Sequence, residues 1–158
     1  VAVALLGFMS LLPWLSPEGF RVDMRSRALA VLVVALTALF VFIHLLSLAA
    51  ALRPGLGVDR ALVTGVLLFL AAIGATFPGI QRNFFIGVRV PWTIASQRVW
   101  DDTHALAGRI WVAGGLLGAL LAAAGQTLAA FLLVVPMAVV PIVYSFLRYK
   151  HLERVGGL

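Results

Sequence analysis

The side chains that could support acid–base, metal or nucleophilic chemistry are few, and their placement argues against most of it. The six carboxylates, Glu18, Asp23, Asp59, Asp101, Asp102 and Glu153, all fall outside the long apolar runs, so the acidic groups that mark proton relays inside membrane bundles are missing. His44, His104 and His151 are isolated in sequence and form no HExxH-type ligand pair. There is no cysteine, hence no disulfide framework, thiolate nucleophile or thiolate-bound metal. No serine stands in a G-x-S-x-G context and no glycine-rich phosphate loop occurs. The chain does not read as an enzyme, and neither a metal nor a cofactor is expected.

The elements that position these residues follow from hydropathy. Of 158 residues, 63% are hydrophobic and 11% charged, with a mean hydropathy of +1.09, whereas soluble domains carry about a quarter charged residues. Five apolar segments stand between clusters of polar and helix-breaking residues: Val1 to Leu15, Ala28 to Leu52, Ala61 to Ile80, Ala105 to Ala124, and Thr127 to Leu147. None alternates with a period of two, and a bilayer tolerates no open strand edge, so all are expected to be helices. The fold class is all-α: a polytopic transmembrane helical bundle of about five spans, forming a single transmembrane domain over 1–158. The first segment would reach only about 22 Å as a helix, short of a hydrocarbon core of about 30 Å, and needs residues upstream to cross. It lacks the basic start and small-residue cleavage site of a signal peptide. Gly125 and Gln126 leave so short a turn that the last two spans should form an antiparallel hairpin.

Basic residues set the expected orientation. Ten of the twelve Lys and Arg lie in the first loop (Arg21, Arg25, Arg27), in or beside the third (Arg82, Arg89, Arg98, Arg109), and in the tail (Arg148, Lys150, Arg154). Only Arg53 and Arg60 belong to the opposite side. The bias places those loops and the C-terminus in the cytoplasm. Because the basic residues flank apolar helices and form no stripe on a soluble surface, the net charge of +6 reflects topology, and no nucleic-acid partner is expected. The partner that composition itself implies is the lipid bilayer.

Within the spans, His44 shares a helix with Thr37 and Ser47. A neutral imidazole bonded to a neighbouring helix is preferred over a ligand or proton site, because it needs no second group. Gly114, Gly118 and Ala122 form a small-residue row that suits close helix packing, and Pro136 and Pro141 should kink the last span.

The third loop, residues 81–104, is long and rich in aromatics. Burying Arg82, Arg89 and Arg98 at the bilayer centre would cost about 2.5 to 3.5 kcal/mol each, so the loop is placed at the interface. Val90 before Pro91 should be extended, and Thr93 then reads as an N-cap opening a short surface helix on which Trp100 and His104 share a face. By composition alone, an aromatic and basic anchor at the headgroups would suffice.

The order of residues carries more. Asn83-Phe84-Phe85-Ile86-Gly87-Val88-Arg89-Val90-Pro91-Trp92-Thr93, followed by Val99-Trp100-Asp101-Asp102-Thr103-His104-Ala105-Leu106-Ala107-Gly108-Arg109, closely resembles the signature of the SdpI family, bacterial multi-pass proteins associated with immunity to secreted peptide toxins. The likeness is dense from about Gly74 to Gly115. Carried over by position, the characteristic residues are Asn83, Gly87, Arg89, Pro91, Trp92, Thr93, Trp100, His104 and Gly108. Two positions depart from the family pattern: Val90 stands where a Thr is usual, and Gly74 and Ala75 stand where the third span usually has an Asn.

The resemblance implies an integral protein of the bacterial inner membrane, with its C-terminus cytoplasmic, that protects the cell from a membrane-active peptide toxin. In some relatives the toxin's presence is relayed to a cytoplasmic repressor. Binding or signalling would fall to Asn83, Gly87, Arg89, Pro91, Trp92, Thr93, Trp100 and His104. The alternative of another class is a small transporter or permease subunit, with His44 and the kinked last span in the pathway. The expected orientation can be checked directly, since the chain has no native thiol: Gly157→Cys should resist a membrane-impermeant maleimide in intact cells and Gly57→Cys should react. The opposite pattern would reverse the topology.

Overall fold

The computed structural model describes residues 26–53 and 55–158, together with Gly7, Ser10, Leu11, Trp14 and Leu15. The expected span Val1 to Leu15 thus lies mostly outside the described residues. Among the described residues the fold is all-α, with four stretches long and apolar enough to cross a membrane: Arg27–Leu52, Asp59–Gly79, Gln97–Ala123 and Thr127–Arg154.

Helix α1, Arg27–Leu52, starts where the Ser26 hydroxyl accepts the Leu29 N–H at 3.2 Å, an N-cap bond that satisfies one of the four orphan donors. Helix α2, Asp59–Thr76, carries Asp59 in its first turn, where a carboxylate complements the helix dipole. It runs into a 3-10 turn, Phe77–Gly79, containing Pro78. After the loop come a one-turn helix α3, Pro91–Ala95, and the long helix α4, Gln97–Ala123. The last span is broken into α5, Thr127–Leu132, and α6, Val134–Arg154.

That break has a local cause. Pro136 has no N–H to offer the Leu132 carbonyl, and its ring crowds the preceding turn, so the helix resets at Leu133, within one turn of the proline. The hairpin between α4 and α5 turns on Gly125, whose φ of 87° is left-handed and suits glycine.

Helix α4 is the hub, packing against α2, α3, α5 and α6, while α1 packs on α2 and the turn after it and, through Leu29, on Phe85 and Ile86 of the following loop. In α1 only Leu29 is buried; Leu32, Val33 and Phe42 are half-buried against the neighbouring elements, while Val34, Val41, Leu45, Leu48 and Leu52 are exposed, as lipid contact allows. The α2–α4 crossing is close because both helices offer glycine. A Cβ on Gly115 would lie 2.7 Å from the Leu67 carbonyl oxygen, and one on Gly108 would lie 2.9 Å from that of Gly74. The close approach therefore runs along 108, 115 and 122, spaced by two helical turns. The Gly114/Gly118 pair does not act as one face. Gly118 abuts Leu67 of α2, whereas a Cβ on Gly114 would meet Met137 of α6 at 2.7 Å.

His44 is exposed on α1, with no hydrogen bond to a neighbouring helix among the described residues.

The seam makes a quantitative demand. Gly115→Val should cost about 1–3 kcal/mol through overpacking and lower the thermal midpoint in detergent, while Gly57→Val, in a turn with an open side, should leave it unchanged. Equal midpoints for the two variants would show that the glycine seam does not set stability.

Candidate functional site

Residues 80–96 form a folded structure rather than a flexible anchor, and the signature side chains supply its hydrogen bonds. Asn83 is 3% exposed. Its Oδ1 accepts the N–H groups of Phe85 and Ile86, each at 2.7 Å, and its Nδ2 donates to the carbonyls of Gln81 and Ile86 at 2.9 and 3.1 Å. One amide thus satisfies a whole turn, using both of its donors and its acceptor oxygen twice.

Gly87 follows with φ 114°, a conformation that L side chains rarely adopt. A Cβ there would also lie against Nε2 of His104. This close approach lets the Val88 N–H donate to His104 Nε2 at 3.0 Å. Nδ1 of the same ring faces the Trp100 carbonyl oxygen at 2.8 Å. The two contacts assign the tautomer: Nε2 accepts, so Nδ1 carries the proton and the ring is neutral. Trp100 stacks on the imidazole with centroids 4.0 Å apart, and its own N–H donates to the Ile80 carbonyl at 2.9 Å.

The expected surface helix bearing Trp100 and His104 is corrected here. Both residues do share a face, but that face lies within α4 and is buried, at 0% and 1% exposure. The helix begins at Gln97, capped by Ser96, whose hydroxyl accepts the Val99 N–H. Thr93 is not an N-cap either. Val90 holds that position, extended at φ −118° and ψ 157° as its place before proline demands. Pro91 takes the first helical position, where a missing N–H costs nothing. Thr93 Oγ1 instead reaches back to accept the Val90 N–H at 3.0 Å, with the Val88 carbonyl 2.7 Å away to receive its proton.

Two arginines finish the loop. Arg82 Nη1 donates to the Ile94 carbonyl and Arg89 Nη1 to that of Phe84, at 2.9 and 2.8 Å. Phe85 and Ile86 pack on the Leu29 cluster of α1, and the Asp102–Arg148 ion pair at 2.7 Å ties α4 to α6. The loop, the starts of α1 and α4 and the end of α6 therefore sit at one end of the bundle.

Trp92 and Arg89 do not form one presented surface. The Trp92 N–H donates to Ser145 Oγ at 2.6 Å, and Ser145 in turn donates to the Ile142 carbonyl. The ring stands edge-on to Phe146, whereas Arg89 is exposed. Sequence reasoning missed two participants. Ser145 is fully buried and belongs to no motif. Trp111 donates its N–H to the Met137 carbonyl at 2.7 Å, the carbonyl that Pro141, four residues on, leaves without its helical partner. The Met137/Pro141 spacing was the available signal for that second role.

Between the loop and α6 lies a cleft of about 300 Å³, walled by the Gly87–Val90 segment, Trp111, Met137, Ala138, Pro141 and Ile142. Among the described residues no three His, Cys, Asp or Glu side chains come together as a metal site. The chemistry this cleft offers is recognition: one guanidinium over apolar walls.

These features define a multi-pass α-helical membrane protein organised around a folded, hydrogen-bonded loop. Residues 79–145, from the turn after α2 into α6, match the SdpI/YfhL protein family. The chain is also similar to Immunity protein SdpI of Bacillus subtilis (strain 168), at 22% identity over 131 residues, covering 81% of this chain and 63% of that protein. Together they support membership of the chain in the SdpI family. No solved structure matches it. Of the two positions where the third span departs from the family pattern, Gly74 is closely packed, a Cβ there lying 2.5 Å from that of Trp111, and Ala75 is exposed.

The His104–Gly87 contact is testable by a double-mutant cycle. Gly87→Ala should destabilise the protein through the clash with the ring and the left-handed φ. Adding His104→Ala should remove the clash, so the double variant should be more stable than the sum of single losses by about 0.5–3 kcal/mol. Strict additivity in urea or thermal unfolding would separate the two residues.

Proposed function

We propose that the protein is an immunity protein of the bacterial inner membrane, C-terminus cytoplasmic, which protects its cell from a membrane-active peptide toxin, with the 81–104 loop as its binding or signalling element. The observation that carries this reading is that the family region, 79–145, contains the longest non-helical segment among the described residues, which is internally bonded and bordered by a cleft. The similar protein of Bacillus subtilis is named an immunity protein, and the toxin is what the family resemblance implies. The chain spans 63% of that relative's length, so the activity of the whole protein is carried over only as part of this proposal. A relay to a cytoplasmic repressor would use the same loop, because that end of the bundle carries most of the basic residues. The transporter alternative would use His44 and the last span; His44 is exposed on α1, and among the described residues it lines neither the pockets beside α1 nor the Pro141 cleft.

The test is survival of toxin-sensitive cells expressing the chain. Arg89→Lys removes the planar fork while keeping the charge, and Trp92→Leu removes the N–H that holds α3 to α6. Each should abolish protection with normal membrane abundance, while Trp14→Leu, at an exposed position, should retain it. Full protection by both loop variants would sink the assignment of the loop.

A further inference from the structure

The cleft beside Arg89 continues into the lipid-facing surface. Ile142 both lines it and is 43% exposed, with Val139, Val140 and Val143 exposed next to it. A hydrocarbon chain can therefore enter sideways from the bilayer without crossing a polar barrier.

Arg89 lines the cleft and is exposed. One N–H of its fork is held by the Phe84 carbonyl, which fixes its direction, and its other donors have no partner among the described residues. No acidic side chain lines the cleft. An arginine fork over apolar walls is complementary to a phosphate attached to a hydrocarbon chain.

We propose that this cleft is a phospholipid site on the loop's side of the membrane, with the lipid phosphate on Arg89 and the start of an acyl chain against Trp111, Met137, Pro141 and Ile142. The bound chain shields the Trp111 N–H bond to the Met137 carbonyl and fills the space beside the proline bend. The site stands on geometry and does not depend on the immunity reading, and its test contains no toxin.

The full chain, purified in a mild detergent, is titrated with phosphatidylglycerol, and its thermal midpoint and lipid retention by native mass spectrometry are recorded. The wild type should gain stability and retain lipid. Arg89→Ala should bind about tenfold more weakly, as expected for loss of a charge-assisted bond. Ile142→Trp, which fills the cleft but keeps Arg89, should lose retention to a similar extent. Circular dichroism reports whether each variant remains folded. Equal retention by wild type and both folded variants would overturn the proposal. So would an equal stabilisation of the wild type by inorganic phosphate alone, because the apolar walls would then contribute nothing, and so would displacement of the lipid by an acidic peptide at lower concentration.

Discussion

Non-helical backbone next to a bilayer must find its hydrogen-bond partners within the protein or in trapped water, since hydrocarbon offers none. Much of this protein follows from that demand acting on residues 80–96. Asn83 satisfies one turn, Thr93 another, and His104 reaches from α4 to take the Val88 N–H. Trp100 then holds the Ile80 carbonyl, so the start and the middle of the segment are pinned to the same helix. Removing any one of these side chains leaves a backbone group unpaired in a poorly solvated place, where the penalty exceeds the net worth of the bond itself.

The same demand governs the helices. Pro141 frees a carbonyl inside α6, and the Trp111 indole answers it from α4; one turn further along, Ser145 accepts the Trp92 indole. Two tryptophans therefore grip α6 on either side of its proline. Trp111 also packs on Phe77, and its Cβ faces Gly74 at the tight glycine crossing, so the same side chain meets both α2 and α6.

How much of this could be read from the residues depended on range. Span number for the described chain, the basic clustering at one end and the extended Val90 follow from local hydropathy and backbone sterics, which act over a few residues. The start of α4 was misplaced because Arg98, Asp101 and Asp102 were counted as loop, whereas a helix longer than the hydrocarbon core can carry its charges beyond it. Thr93 was misassigned as a cap because Ser, Thr and Asn hydroxyls and amides bond forward and backward with similar ease, and only Pro91 at the first helical position decides between them. The contacts of Trp92 with Ser145 and of Trp111 with Met137 join residues 53 and 26 apart, and no spacing rule reaches that far.

The signature residues then separate by what their chemistry is used for. Asn83, Gly87, Thr93, Trp100 and His104 have their polar groups or their backbone conformation taken up in building the loop, and each is buried or in contact with a buried partner. Pro91 sets the first turn of α3, and Trp92 is committed through its N–H to Ser145. Arg89 differs. Its bond to the Phe84 carbonyl occupies a single donor on an exposed side chain, and a Lys or Gln could supply one donor equally well. A planar cation with four further N–H donors is more than the loop's architecture requires at that position. The remaining capacity faces the cleft, and it makes Arg89 the residue whose identity the loop's own folding explains least.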